Sequence, residues 1–389
     1  MRGRSWPSLL ALRGSDTGPL LAPWRHMRPR PLHRLCLLVV AALAAACGGP
    51  TPTEPLPTPT PTPASTTDVY VAGSEAIGVY EPTYRKYAAV ATVWKNGVAM
   101  RLTDGARDAE AYSVAVSGSD VYVAGHDGAV AMLWKNGVPT RLTTDGTLVA
   151  YATSVAISGS DVYVAGDEGN GGDYAHAGRV WKNGVATQLA DGAPYPYVRS
   201  VAVYGGDVYV TGYEHKGFEG FTVAKVWKNG IATQLTDGSR SADASSVAIS
   251  GSDVYVAGSE HNEVTTVAKV WKNGVATQLT NGISSADAHS VAISGSDVYV
   301  AGYEGIGLWY TEVAKVWKNG VGITLTDGIS SADAYSVAIS GSDVYVAGCE
   351  GGLPPLYLFA AKVWRNGVAT PLTDGTHDAH AYSIAVSPH

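Results

Sequence analysis

Three cysteines in 389 residues (Cys36, Cys47 and Cys349) are too few for a disulfide framework. Whatever this chain builds must therefore be held by a packed core. The apolar run Leu35–Ala46 has twelve residues, short of the ~20 that a membrane-crossing helix needs. Also missing are G-x-S-x-G, a phosphate-binding loop, a Cys/His nucleophile pair and histidines at helical ligand spacing. No enzyme activity, cofactor or metal is expected on these grounds.

The ends of the chain differ sharply in composition. Arg25, Arg28, Arg30 and Arg34 precede Leu35–Ala46, and small residues lead into Cys47, which is the layout of an export signal over residues 1–46. Met27 is a second possible start for it. Residues 47–67 include "PTPTEPLPTPTPTPASTT", a Pro/Thr-rich spacer that cannot bury a core. At ~3.1 Å per residue, about twenty such residues reach roughly 60 Å.

The stretch Leu43-Ala44-Ala45-Ala46-Cys47-Gly48 resembles the lipobox of bacterial lipoproteins, with the leucine one residue further from the cysteine than is usual. The resemblance implies lipidation of Cys47 and anchoring in the cell envelope through that lipid alone. Gly48 carries no inner-membrane retention signal of the Asp kind, so the outer membrane is the destination in a Gram-negative host. The alternative is ordinary cleavage and secretion. Removing the leader takes away seven arginines and one aspartate, so the 27 basic and 34 acidic residues become 20 and 33, a net charge of −13. That excess argues against a nucleic-acid partner.

The rest is repetition. "VWKNGVATQL" stands at Val180–Leu189 and again at Val270–Leu279, and looser copies make seven. Asp-Val-Tyr-Val recurs from Asp68 to Asp343, and Ser-Val/Ile-Ala-Val/Ile from Ser113 to Ser383. Residues 68–389 make seven units averaging 46 residues. Each reads as four short strands: "SVAIS", "DVYVAG", "AKVW" and "VATQL". Asn-Gly between the last two is the hairpin signal of a type I′ turn. Four strands at this period predict an all-β, seven-bladed β-propeller over residues 68–389. The chain opens on a second strand and closes on a first, Ser383–Val386, so that strand should complete the N-terminal blade and shut the ring. Each Trp should pack between neighbouring blades, and each following Lys should be solvated at a hairpin tip.

In strand order the unit resembles a WD40 blade, and the chain is similar to the highly repetitive propellers of bacterial exported proteins. It departs from WD40 in having Lys or Arg after the Trp and no Gly-His opening, which puts the hydrogen-bond tetrad of that family in doubt.

A propeller of this order presents its 1–2 and 3–4 hairpins on one face and its 2–3 loops and inter-blade connections on the other. The hairpin face is uniform, and the loop face varies. Variable loops on a rigid frame are where binding sites concentrate. An acid follows every second strand there: Glu75, Asp127, Glu168, Glu214, Glu260, Glu304 and Glu350. They either bind a ligand or accept hydrogen bonds from the next blade's backbone. The position before each first strand varies: Tyr112, Thr153, Arg199, Ser245, His289, Tyr335 and Tyr382. Aromatic and arginine side chains are frequent recognition anchors, so Tyr112, Arg199, His289, Tyr335 and Tyr382 are the candidate ligand contacts. The histidines His126, His176, His215, His261, His289, His377 and His380 are expected in the same loops. The predicted function is an envelope-anchored, monomeric binding propeller whose varied face takes a protein or glycan. The alternatives are a scaffold without a ligand, or a propeller glycosidase or lyase.

Overall fold

The computed structural model describes residues 67–81, 86–143, 148–169, 176–189, 196–216, 220–306, 311–351 and 358–388. The expected leader, Cys47 and the spacer up to residue 66 lie outside them. Every regular element among the described residues is a strand. Seven four-stranded antiparallel sheets form, each in chain order except the first. Blade 1 is Ala379–Pro388, Thr67–Glu75, Val90–Lys95 and Val98–Arg101. Blades 2 to 7 begin at Ala109, Val149, Pro196, Ala242, Ala286 and Ser331. The protein is a seven-bladed β-propeller, and its C-terminal strand closes the N-terminal blade. The first strands lie side by side in an unbroken ring and line the central channel.

Trp and Ala account for the packing. All seven blade tryptophans are at most 1 % exposed. Trp134 of blade 2 lies in a cluster with Tyr70, Ala72 and Val93 of blade 1, and Trp94 of blade 1 packs on Tyr345, Ala347 and Ala361 of blade 7. Each indole thus fills the seam toward the preceding blade, where the facing alanines leave room for it.

The lysines of the uniform face reach solvent, as expected, but they also staple that face to its own aspartates and tyrosines, a pairing the repeat phrases did not reveal. In blade 5, Asn273 Oδ1 accepts from the Val254 N–H and its amide donates to Asp253 Oδ1 at 2.8 Å. Lys272 Nζ meets Asp253 Oδ2 at 2.8 Å and stands 5.2 Å from the centre of the Tyr255 ring. The same cluster recurs in the other blades, with Arg365 replacing the lysine in blade 7. The asparagines sit at φ of 50–51° and the following glycines at 80–83°, the backbone of a type I′ turn. Asp-Val-Tyr and Trp-Lys-Asn-Gly are therefore two halves of one clasp.

The inner strands are longer than the four or five residues expected, at nine or ten each. They extend toward the loop face across a bulge, and that bulge builds the site.

Candidate functional site

In every blade the register of the first and second strands slips by one residue near the loop face. Ala111 pairs with Gly125 and Ser113 with Ala124, leaving Tyr112 unpaired. The unpaired residues of the other blades are Thr153, Arg199, Ser245, His289, Tyr335 and Tyr382. The varied positions are thus not loop residues, as expected, but β-bulges within the inner strands. A bulge puts one extra residue opposite its partner strand and re-aims its side chain. The glycine of "VAG" is what permits it. A Cβ on Gly73, Gly125, Gly166, Gly212, Gly258, Gly302 or Gly348 would stand 1.9–2.1 Å from the carbonyl oxygen two residues before the bulge.

Serine follows each bulge, and its role escaped the sequence reading. Ser383 Oγ accepts from the Val114 N–H at 3.2 Å, Ser113 from Val155, and Ser154 from Val201. Ser200, Ser246, Ser290 and Ser336 serve Val247, Val291, Val337 and Ile384. Seven serines thus link seven blades in a closed circle.

A second, irregular circle lies beside it. Here the bulge residue of one blade reaches the residue two before the bulge in the next. Arg199 Nε meets Asp243 Oδ2 at 3.2 Å, His289 Nε2 meets Asp333 Oδ2 at 3.2 Å, Tyr335 Oη meets His380 Nδ1 at 3.5 Å, and Tyr382 donates to Glu110 at 3.0 Å. Glu110 is a hub: Tyr112 donates to it at 2.6 Å, and His126 lies 3.6 Å away. Burial pushes its carboxyl up, but hydrogen bonds from His126 and Tyr112 outweigh that and hold it down at about 2. Burial and then Glu110 push the Tyr112 and Tyr382 hydroxyls well above their ordinary value. Burial lowers His289, yet Asp333 raises it further, to about 9. Burial likewise lowers His380, while Asp378 and Cys349 raise it to about 10.

The wall breaks the seven-fold symmetry. From blade 6 round to blade 3 runs an aromatic arc, with Tyr303, His289, Tyr335, Tyr382, Tyr112, His126 and Tyr151 in successive ring contact at 5.0–5.8 Å. His380 stacks on Tyr382 at 5.6 Å. Blade 4 stacks Tyr197 on Tyr213 at 4.9 Å, with Arg199 over Tyr213. Asp243 of blade 5 lies between the arc and the stack, and Asp287 and Asp333 hold the same position in blades 6 and 7, within the arc. Uniform blades thus carry an asymmetric mouth.

The recurrent acids sit apart from it, and their expected bond to the next blade's backbone is not what forms. Lys225, Lys269, Lys315 and Lys362, on the third strands, pair with Glu214, Glu260, Glu304 and Glu350, and Arg179 pairs with Glu168. In blade 1 the corresponding cation position, opposite Gly73, is Thr92, so Glu75 lacks that lysine. Blade 2 has Met132 there, and Asp127 turns instead to Arg107 at 2.8 Å. Most of the histidines are strand residues too. His126, His289 and His380 lie within strands, and His176, His215 and His261 stand at strand ends. His377 alone of the seven lies in a connection, its Nδ1 3.0 Å from Thr376 Oγ1.

One further set comes together that the sequence reading did not anticipate. Cys349 donates its thiol to Tyr335 Oη at 3.6 Å, beside His380, whose Nε2 is 3.5 Å from Asp378. The thiol residue is only 1 % exposed, so it forms part of the wall and not its surface.

No family model matches the sequence, and no curated protein matches it. Solved structures of low identity align with it. The acylaminoacyl peptidase of Pyrococcus horikoshii is 12 % identical over 79 % of this chain and 51 % of its own, with a TM-score of 0.49. This chain thus spans about half that peptidase's length. The β-propeller domain of the trilobed protease from Pyrococcus furiosus is 10 % identical over 79 % and 93 %, with a TM-score of 0.48. The computationally designed Ika8 protein is 17 % identical over 82 % and 96 %, with a TM-score of 0.42.

Proposed function

We propose that this chain is an exported, lipid-anchored propeller that binds a partner, a glycan in the first instance, at the channel mouth of its varied face. The observation that carries the reading is the position of the divergence. Blades 5 to 7 agree almost letter for letter yet carry Ser245, His289 and Tyr335 at the bulge, and across the seven blades the residue two before the bulge varies as well, from Glu110 and His380 to Tyr151, Tyr197 and Asp243. The result is a surface of tyrosine and histidine rings interleaved with carboxylates and one guanidinium, half-buried except for the buried His126 and the exposed Arg199. Ring faces stack on the apolar faces of sugars, and the ordered hydroxyls and carboxylates supply hydrogen-bond partners for sugar hydroxyls. A frame closed by seven seams holds these groups in place before a ligand arrives, which lowers the ordering cost of binding.

A glycan array, with pulldown from the source envelope, tests the reading. Discrete saccharide hits that weaken at least tenfold in Tyr335→Ala or Tyr382→Ala are the expected outcome, and hits indifferent to both substitutions would overturn it. Labelling with a palmitate analogue tests the anchor, since wild type should be marked and Cys47→Ala should not. The second reading is a scaffold without a ligand. It is favoured by the same contacts, because Arg199–Asp243, His289–Asp333 and Tyr382–Glu110 each bridge two blades. On that reading the substitutions lower thermal stability and change no binding.

A further inference from the structure

A groove of about 630 Å³ lies between blades 1 and 2, at the outer end of their seam. Arg101, Arg107, Arg141, Met132, Trp134 and Pro139 are among its walls. The equivalent groove between blades 4 and 5, about 450 Å³, shows what the repeat ordinarily does there. In that groove the cation is Lys269 on the third strand, paired with Glu260, and the fourth-strand residue opposite it is Gln278. Arg240 is paired as well, with Glu263 at 2.9 Å.

Blades 1 and 2 reverse this wiring. The third-strand cation is replaced by Thr92 and Met132, and the residues opposite them on the outer strand are Arg101 and Arg141. The same outer-strand position is Gln188, Gln234 and Gln278 in blades 3 to 5, Thr324 in blade 6 and Pro371 in blade 7. Moved outward, the two guanidiniums lose the carboxylate that pairs with the third-strand cation in blades 3 to 7. Both are exposed, and neither has a hydrogen bond or ion pair among the described residues. Every other lysine or arginine whose side chain is described holds a carboxylate, apart from Lys216, which reaches the Asp237 carbonyl. Two unpaired cations facing one groove, in a mature chain of net charge −13, are an exception in need of an anion.

We propose that this groove binds an acidic saccharide whose oxyanions are held by Arg101 and Arg141. Guanidinium forks match carboxylate and sulfate geometry with paired N–H donors. Forks presented by two neighbouring blades suit a chain of repeated anions better than a single ion. Arg107, bidentate to Asp127 at 2.8 and 3.1 Å, is already neutralised and shapes the wall. The site is separate from the channel mouth and does not depend on what binds there.

The test uses the double variant Arg101→Gln/Arg141→Gln, which installs the residue that blades 3 to 5 carry and so keeps the fold. Calorimetric titration would use a uronic-acid tetrasaccharide, its methyl-esterified neutral form, a sulfated oligosaccharide, inorganic phosphate and a single-stranded DNA 12-mer. The uronate or the sulfated probe should bind the wild type, weaken at least tenfold in the double variant, and weaken as salt rises from 50 to 300 mM. Arg240→Gln should stay within twofold of wild type, which separates this groove from its neighbour. Failure of both acidic saccharides, equal binding of the esterified form, full binding by the double variant, or tighter binding of phosphate or DNA would each overturn the proposal.

Discussion

The two faces of this propeller are made by opposite ends of the same strands, yet they obey different rules. On the hairpin face one clasp of Asp, Tyr, Asn and Lys, with Arg365 for the lysine in blade 7, is repeated seven times. At the channel mouth the backbone repeats as strictly, bulge for bulge, while the side chains do not. The serine beside each bulge is constant, and the bulge residue itself ranges over Tyr, Thr, Arg, Ser and His. Variation is tolerated where the backbone and the serine circle already supply the seam. It is excluded where the side chains are themselves the fastening.

The comparison can be broken or sharpened by experiment, beginning with the seam that both faces share. Deleting residues 379–389 removes the closing strand of blade 1, including buried Ala379, Ala381 and Ile384 and two links of the serine circle. The loss should approach the whole ~5–15 kcal/mol margin of a typical domain. The protein should aggregate or lose its cooperative melt in calorimetry, and a near-normal melt would show that closure is dispensable.

Next comes the bulge. Gly302→Ala places a Cβ 2.0 Å from the Asp287 carbonyl oxygen and must displace the strand that carries His289. A cost of about 3 kcal/mol is expected, at the upper end for overpacking, read as a fall in denaturation midpoint. A neutral result would mean that the bulge is not what sets the mouth.

Third, on the alkaline side the mouth should be sensitive to pH in a way the hairpin face is not. His289 is held at about 9 and His380 at about 10, both above the ordinary 6.5, so their pairing stabilises the fold fully below pH 6.5 and is lost as pH rises through 9 to 10. Glu110, held at about 2, acts in the opposite sense: its contribution is present above pH 4.5 and lost as pH falls toward 2. Each group is worth on the order of 3 kcal/mol. His289→Gln should flatten the alkaline limb of the stability curve, and an unchanged limb would remove the Asp333 pairing from the account.

The smallest effect belongs to one clasp among seven. Asn273→Ala loses two hydrogen bonds and places alanine at a φ of 51°, for about 1–2 kcal/mol. Lys272→Ala should cost less still, because the pair is half exposed and screened by water. Neither should alter binding at the mouth, and if either does, the working face is the hairpin face.

The blades, their strand order, the Asn-Gly turns and the closing strand were all legible before the structure, because each is written in a local pattern of period two or in a turn dipeptide. The bulge was legible in principle. Buried Ala109 and Ala111 are two apart, but the next buried residue is Val114, three further on, and that slip of phase recurs in blade after blade. In the sequence it looks like the end of a loop, because "DAxS" resembles a polar connection. The pairing of the recurrent acids was not legible. Glu260 and Lys269 are nine residues apart, while Glu350 and Lys362 are twelve apart, and loops of unequal length between them hide a constant cross-strand geometry.

By itself, then, the sequence determined a seven-fold ring, since hydrophobic alternation, turn chemistry and the position of the last strand depend on neighbours along the chain. Tertiary structure decided which side chains meet. Arg199 finds Asp243, Tyr382 finds Glu110, and Arg101 shares a groove with Arg141 only because adjacent blades bring their strands together. Those encounters are set by distances across the seams, which no spacing along the chain records.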